Sequence, residues 1–198
     1  MKKTRIIRNG LLLSISFCIA FSAMGQKKKH KPHKHKAKVH NPKHHHKHHH
    51  SRPYRYAKHP RCGVAVNVRP AGARVVAFRG VNYHLHGGVW YKPFGKKFVV
   101  FRPLAGIRIK VLPPNCYRFT ARSRNYHYYY GTYYVHVPKT DEYEVVAPPI
   151  GAKIDDLPDD YTEETIDDKT YYVLDDTYYV YLEDEELYEV VDLPGTSR

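Results

Sequence analysis

Six imidazoles fall within seven residues, at His44, His45, His46, His48, His49 and His50, and His30, His33, His35 and His40 precede them. Neutral imidazole ligates Zn, Ni and Cu, and a tract without fixed geometry can wrap whichever of these ions is present. Only the unprotonated ring binds, so such affinity weakens below about pH 6. The same stretch carries Lys27, Lys28, Lys29, Lys31, Lys34, Lys36, Lys38, Lys43, Lys47, Arg52 and Arg55. From Gln26 to Arg61 there are thirteen Lys or Arg, eleven His and four Pro. Such a run suits anionic polymers of the cell envelope, lipopolysaccharide or similar, and nucleic acid only outside the cell. Two chemistries therefore share one segment, polyanion contact through Lys and Arg and transition-metal binding through His.

Other candidate constellations are weaker. His84 and His86 project from one face of a strand, but ring packing beside Tyr83 and Trp90 accounts for them better than a two-His half-site. The acidic pairs Asp155-Asp156, Asp159-Asp160, Glu163-Glu164 and Asp167-Asp168 suggest a hard cation such as calcium. Without an Asp-x-Asp-x-Asp-Gly loop they read as a solvated acidic face. There is no Gly-x-Ser-x-Gly, no His-Glu-x-x-His and no phosphate-cradling glycine loop. The first 140 residues hold no Asp or Glu to pair with their histidines. The expectation is a non-enzymatic protein with no obligate cofactor, Zn, Ni or Cu on the His-rich arm being the exception.

The N-terminus has the form of a secretory signal. Lys2, Lys3, Arg5 and Arg8 precede an apolar run from Leu11 to Ala23, and Ala23-Met24-Gly25 is a small-x-small cleavage site. That run is shorter than the ~20 residues of a membrane helix, and no later segment is apolar enough to span. The expected product is exported, periplasmic or secreted to the cell surface, and begins at Gln26. In an oxidising compartment Cys62 and Cys116 are expected to form a disulfide, worth roughly 4 kcal/mol on the chain-entropy account.

The elements that must carry these groups divide sharply. Residues 26–61 lack the apolar content to offset ordering, with almost no apolar residue beyond Val39 and two tyrosines, and are expected to be a disordered arm. From Cys62 the composition turns to Val, Tyr, Phe and Ile punctuated by Gly and Pro, which is strand chemistry. Asp155–Lys169 is the one stretch with any helical character, and Pro158 weakens it. Asn82-Tyr83-His84 through Trp90-Tyr91 recurs as Asn125-Tyr126-His127 through Tyr133-Tyr134, and again as Thr170-Tyr171-Tyr172 through Tyr178-Tyr179. Phe98–Gly106 likewise matches Tyr143–Gly151. The reading is a mainly β protein of tandem antiparallel hairpin repeats with a period of about 45 residues. Its hairpins lie near 82–93, 125–137 and 170–182. The boundaries are signal peptide 1–25, arm 26–61, β-repeat domain 62–192 and tail 193–198.

The Tyr-rich hairpin at 84–91, the strands running into Gly106 and Gly151, and Leu112-Pro113-Pro114 resemble an uncharacterised family of exported bacterial proteins. Its members are built from Tyr-rich repeats and are classed as a domain of unknown function. The resemblance covers residues 62–192 and implies export and β-repeats, with no activity attached. The acid-rich later copies and the long His/Lys arm depart from it.

Charge is split along the chain. Thirty of the 33 Lys and Arg lie in the first 140 residues, and all 19 acidic residues follow, from Asp141 to Asp192. Laid on the repeat, Lys96, Lys97, Lys110, Arg118 and Arg122 fall on Asp141, Glu142, Asp155, Glu163 and Asp167. Copies of opposite sign suggest self-association, within one chain or between molecules, with the arm as a competing cation.

Overall fold

Consecutive residues with positive φ mark the hairpin turns: Arg79-Gly80, Gly87-Gly88, Arg122-Ser123, Tyr130-Gly131, Asp167-Asp168 and Asp175-Asp176. Two positive φ values in a row define the type I′ turn, whose twist matches that of the flanking strands. The computed structural model describes residues 53–193, and they form fifteen strands with no helix.

The first sheet contains β1 (Ala65–Val66), β2 (Arg74–Phe78), β3 (Val81–His86), β4 (Val89–Phe94) and β5 (Lys97–Phe101), in the order β1-β5-β4-β3-β2. The second contains β6 (Arg108–Ile109), β7 (Tyr117–Ala121), β8 (Arg124–Tyr129), β9 (Thr132–Val137) and β10 (Glu142–Val146), in the equivalent order β6-β10-β9-β8-β7. The third contains β11 (Lys153–Ile154), β12 (Thr162–Ile166), β13 (Lys169–Leu174), β14 (Thr177–Leu182) and β15 (Leu187–Val191), ordered β11-β15-β14-β13-β12. All pairings are antiparallel, and His84↔Tyr91, His127↔Tyr134 and Tyr172↔Tyr179 hold the same register in each copy. The expected all-β repeat architecture and its three hairpins are what the chain forms. Asp155–Lys169 is a loop followed by β12 and its turn, because Pro158 and the Asp167-Asp168 turn leave no room for a helix.

One sheet of this size cannot bury a core alone, so the copies share one. They interlock through the hairpin tips. Trp90 Nε1 donates to the Tyr134 hydroxyl at 2.9 Å, and Tyr133, equivalent to Trp90, donates to the hydroxyl of Tyr179 at 3.3 Å. A Cβ on Gly88 would lie 2.0 Å from the Tyr129 ring, whereas one on the equivalent Gly131 would meet the Arg102 side chain at 2.5 Å and lie 3.4 Å from Leu174, the equivalent of Tyr129. Gly88 thus lets the first copy close onto the second, and Gly131 makes room for Arg102. At the third copy this position is Asp176, exposed at φ 59, and Tyr178 replaces the buried Trp90 and Tyr133 with a half-buried ring. Among the described residues no further copy packs there, and the position carries neither a glycine nor a buried ring.

Residues 53–61 correct the expected arm boundary. They form a turn packed into the body, where Tyr56 is 1% exposed. The aromatic content that is sparse over the whole arm is concentrated at its root, where a preformed core receives it. The remainder of the arm, the signal segment and all but Leu193 of the tail lie outside the described residues. The expected Cys62–Cys116 bridge is also corrected, since both cysteines are free. The Cys62 thiol donates to the Val100 carbonyl at 3.6 Å, while Cys116 donates to Pro113 at 3.2 Å. Each thiol thus has its own backbone acceptor, one on strand β5 and one in the loop before β7.

Candidate functional site

The site with the most polar chemistry lies where the arm enters the body. Tyr56 is its anchor, a ring set edge-on against Tyr130 at 5.1 Å, His59 at 5.4 Å, Tyr129 at 5.6 Å and Tyr54 at 6.0 Å. Such edge-to-face pairs add to the burial of large apolar surface. Around it the backbone is tied to three copies. His59 hydrogen-bonds the Gly87 backbone in the first hairpin turn, and its Nε2 lies 3.1 Å from the Tyr129 hydroxyl in the second. The Tyr130 hydroxyl donates to the Pro60 carbonyl at 2.8 Å. The Arg55 backbone N–H donates to Asp156 at 3.0 Å, in the loop that leads to the third copy.

Charge pairs complete the clasp. The Arg55 guanidinium bonds Asp155 and lies 5.7 Å over the rings of Tyr56 and Tyr129. Arg61 meets Asp159 at 2.9 Å. Arg102, following β5, reaches Asp160 at 2.6 Å and Asp175 at 2.9 Å, joining the first copy to the third. Asp155 and Asp156 are only 6% and 2% exposed. Buried carboxylates need partners, and here arginines, the Arg55 amide and the surrounding loop provide them. The Tyr128 hydroxyl donates to the Asp156 carbonyl at 2.8 Å and fixes that loop to the second sheet.

Burial shifts the ionisable groups of this region. It lowers His59, with Arg55 adding to the effect against the Gly87 hydrogen bond. It raises Asp175, and Arg102 only partly offsets this. Burial pulls Arg102 down, but Asp160 and Asp175 together hold it above its ordinary value. Desolvation pushes the Cys116 thiol up to about 12 and also raises Cys62, a shift away from thiolate character in both.

Beside the clasp, a cleft of about 380 Å³ is lined by residues that include Arg102, Leu104, Thr132, Tyr133, Leu174 and Tyr179. Its arginine is engaged by two carboxylates, and its two tyrosine hydroxyls bond each other.

The residues expected to act divide accordingly. His44, His45, His46, His48, His49 and His50 lie outside the described residues, as do the arm cations from Lys27 to Arg52. Arg55, read as a polyanion contact, instead pairs with Asp155 inside the protein, because the buried carboxylate lies within its reach. The acidic pairs at 155–160 correct the reading of a solvated face: these carboxylates hold the arm root and Arg102. His84 packs edge-on against Phe98 at 5.0 Å while His86 is exposed. Among the described residues no three His, Cys, Asp or Glu converge on a metal-sized site. Sequence reasoning missed Tyr56, His59 and Pro60. The available signal was Tyr54-x-Tyr56, the only aromatic pair in the arm.

The chain belongs to a family of unknown function (DUF6515), whose match spans residues 20–194 and takes in the arm as well as the repeats. No curated protein and no solved structure matches it.

Proposed function

We propose that this is a non-enzymatic, exported protein of the cell envelope, in which the β-repeat body displays a polycationic, His-rich arm to anionic surface polymers such as lipopolysaccharide. The clasp is the observation that carries the reading. Tyr56, His59 and the Arg55 and Arg61 pairs fix the arm's root to three repeats at once, and the cations from Lys27 to Arg52 directly precede that root in the chain. The root spends Arg55 and Arg61 on internal carboxylates and leaves the rest of the charge for a partner. Counterion release makes such binding steeply salt-dependent.

Retention on immobilised heparin and lipopolysaccharide tests it. Replacing the arm histidines by Gln leaves retention at pH 7.5 largely unchanged, whereas replacing Lys27–Lys47 lysines by Gln abolishes it. Retention that persists at about 1 M salt, where the Debye length is ~3 Å, contradicts the proposal. The second reading, transition-metal buffering, rests on the six imidazoles at 44–50. Calorimetry with Zn or Ni separates it, since sub-micromolar sites lost on His-to-Gln substitution support it and millimolar affinity rejects it.

A further inference from the structure

Among the described residues, the seam between the first two copies stands open. β2 is the outer strand of the first sheet and β6 the outer strand of the second, and a groove of about 520 Å³ lies between them. Arg74, Val75 and Ala77 line one wall, Arg108 and Lys110 the other, and Glu142 is the single carboxylate of the lining. At the next junction the equivalent edges, β7 and β11, pack against each other. Val75 is 55% exposed on β2, and nothing in that five-residue strand blocks pairing, neither Pro nor Lys. A strand edge of this kind is a template for a further strand.

The third copy ends in a matching element. Among the described residues β12 is also an outer strand, five residues long, with the same alternation of exposed and half-buried positions as β2. It carries Glu163 and Glu164 and runs into the Asp167-Asp168 turn. The copies themselves differ in sign. Residues 62–105 hold seven Lys or Arg and no acid, and residues 150–193 hold sixteen acids and two lysines.

We propose that the groove is the docking site for β12 of a second copy of this chain, which joins molecules head to tail. Antiparallel pairing sets the Arg74 end of β2 against the Asp167-Asp168 turn and brings the exposed Glu163 beside Lys110 and Arg108. Arg108 also pairs with Glu144 at 2.6 Å, while Glu164 keeps its bond from the Tyr178 hydroxyl. Opposite charges across a strand pair stabilise it and like charges oppose it. The identical pairings are therefore disfavoured, since β2 on β2 gathers Arg74 with Arg79 and β12 on β12 sets its glutamates together. A contact between two different surfaces does not close on two molecules, so association continues into open chains. The proposal does not rest on the arm's binding to polymers.

Sedimentation velocity of the purified protein tests it. The weight-average mass is expected to rise with concentration at low salt to at least that of a dimer, and to return to the monomer at about 1 M salt. The double variant Arg74→Glu/Lys110→Glu and the double variant Glu163→Lys/Asp168→Lys each remain monomeric. Mixed in equal amounts they associate again, because each acidic strand then meets a basic groove and each basic strand an acidic one. Restoration on mixing also shows that both variants fold. A wild type that stays monomeric at low salt overturns the proposal, as does association undiminished in either variant, or no restoration between two variants with native circular dichroism. Loss of association when the arm lysines 27–47 are replaced by Gln, with the strands intact, also overturns it and assigns the contact to the arm.

Discussion

Replacing Tyr56 by Ala tests whether the arm root belongs to the core. The ring is fully buried and meets four aromatic neighbours at 5.1–6.0 Å. Truncating a large buried aromatic costs about 3–5 kcal/mol, the spread reflecting how far the site collapses. Residues 53–61 touch the body through Tyr56, His59, Pro60 and two arginines, so the loss is shared between global unfolding and local release of the segment. Urea denaturation reads the global part, and limited trypsin digestion at Arg55, Lys58 and Arg61 reads the local part. Tyr56→Phe keeps the ring and separates loss of packing from loss of the hydroxyl. The charge of the arm is untouched, so heparin retention of Tyr56→Ala matches wild type. A shift under about 1 kcal/mol, together with unchanged cleavage at the root, would refute the clasp as an anchor.

Gly88→Ala destabilises by more than the ~1 kcal/mol of a backbone effect, because its Cβ meets the Tyr129 ring and φ is +82. Gly72→Ala, with φ +73 and open space around it, shows the backbone cost alone when the two are compared by thermal melting. Tyr134→Phe leaves the buried Trp90 N–H without its acceptor and costs about 1–3 kcal/mol in urea unfolding, whereas Tyr143→Phe, half-buried on β10, costs less. His59, His84 and His127 all have lowered proton affinity, with burial the first cause in each. The unfolded chain then binds more protons than the folded one, so stability falls as pH drops through the ordinary histidine value near 6.5. The melting temperature is expected to decrease from pH 7.5 to 5.5, and His59→Gln to remove part of that slope. A pH-independent melt in this range would contradict the lowered proton affinity of these three rings.

What the sequence reveals here is what local chemistry decides. Type I′ turns need residues that tolerate positive φ, and Gly87-Gly88, Tyr130-Gly131 and Asp175-Asp176 stand at repeat spacing between aromatic strands. The hairpins and their repetition were therefore visible before any contact was known. The clasp was not, because Tyr56 is one ring in a polar segment and its pocket is built by Tyr129 and Tyr130, some seventy residues away. The disulfide failed for a related reason. Two cysteines and an expected oxidising compartment suggest a bridge, but the fold gives each thiol its own carbonyl acceptor, Val100 for Cys62 and Pro113 for Cys116. The acidic pairs at 155–160 were legible as charge and illegible as partners, since only the fold brings Arg55, Arg61 and Arg102 to them.

The reversal of sign between repeats separates into two physical causes. Placement follows the backbone. Arg122 and Asp167 occupy the same first position of the same turn, with φ 47 and 48, and either residue keeps its charge in solvent there. Arg118 and Glu163 are both exposed on outer strands, where the pleat turns that position outward. The sign follows the neighbours. Lys110 is exposed beside the open groove, but its equivalent Asp155 lies under the arm root and is bonded by Arg55. A lysine at 155 would set two cations together in a place 6% exposed, at a cost that buried, unpaired charge always carries. Asp160 and Asp175 meet Arg102 for the same reason. Part of the acidity of the third copy is thus fixed from within, by arginines of the arm root and the first copy. On β12, Glu164 accepts from the Tyr178 hydroxyl at 3.1 Å, whereas Glu163 is exposed on the outer strand, where solvent accommodates either sign.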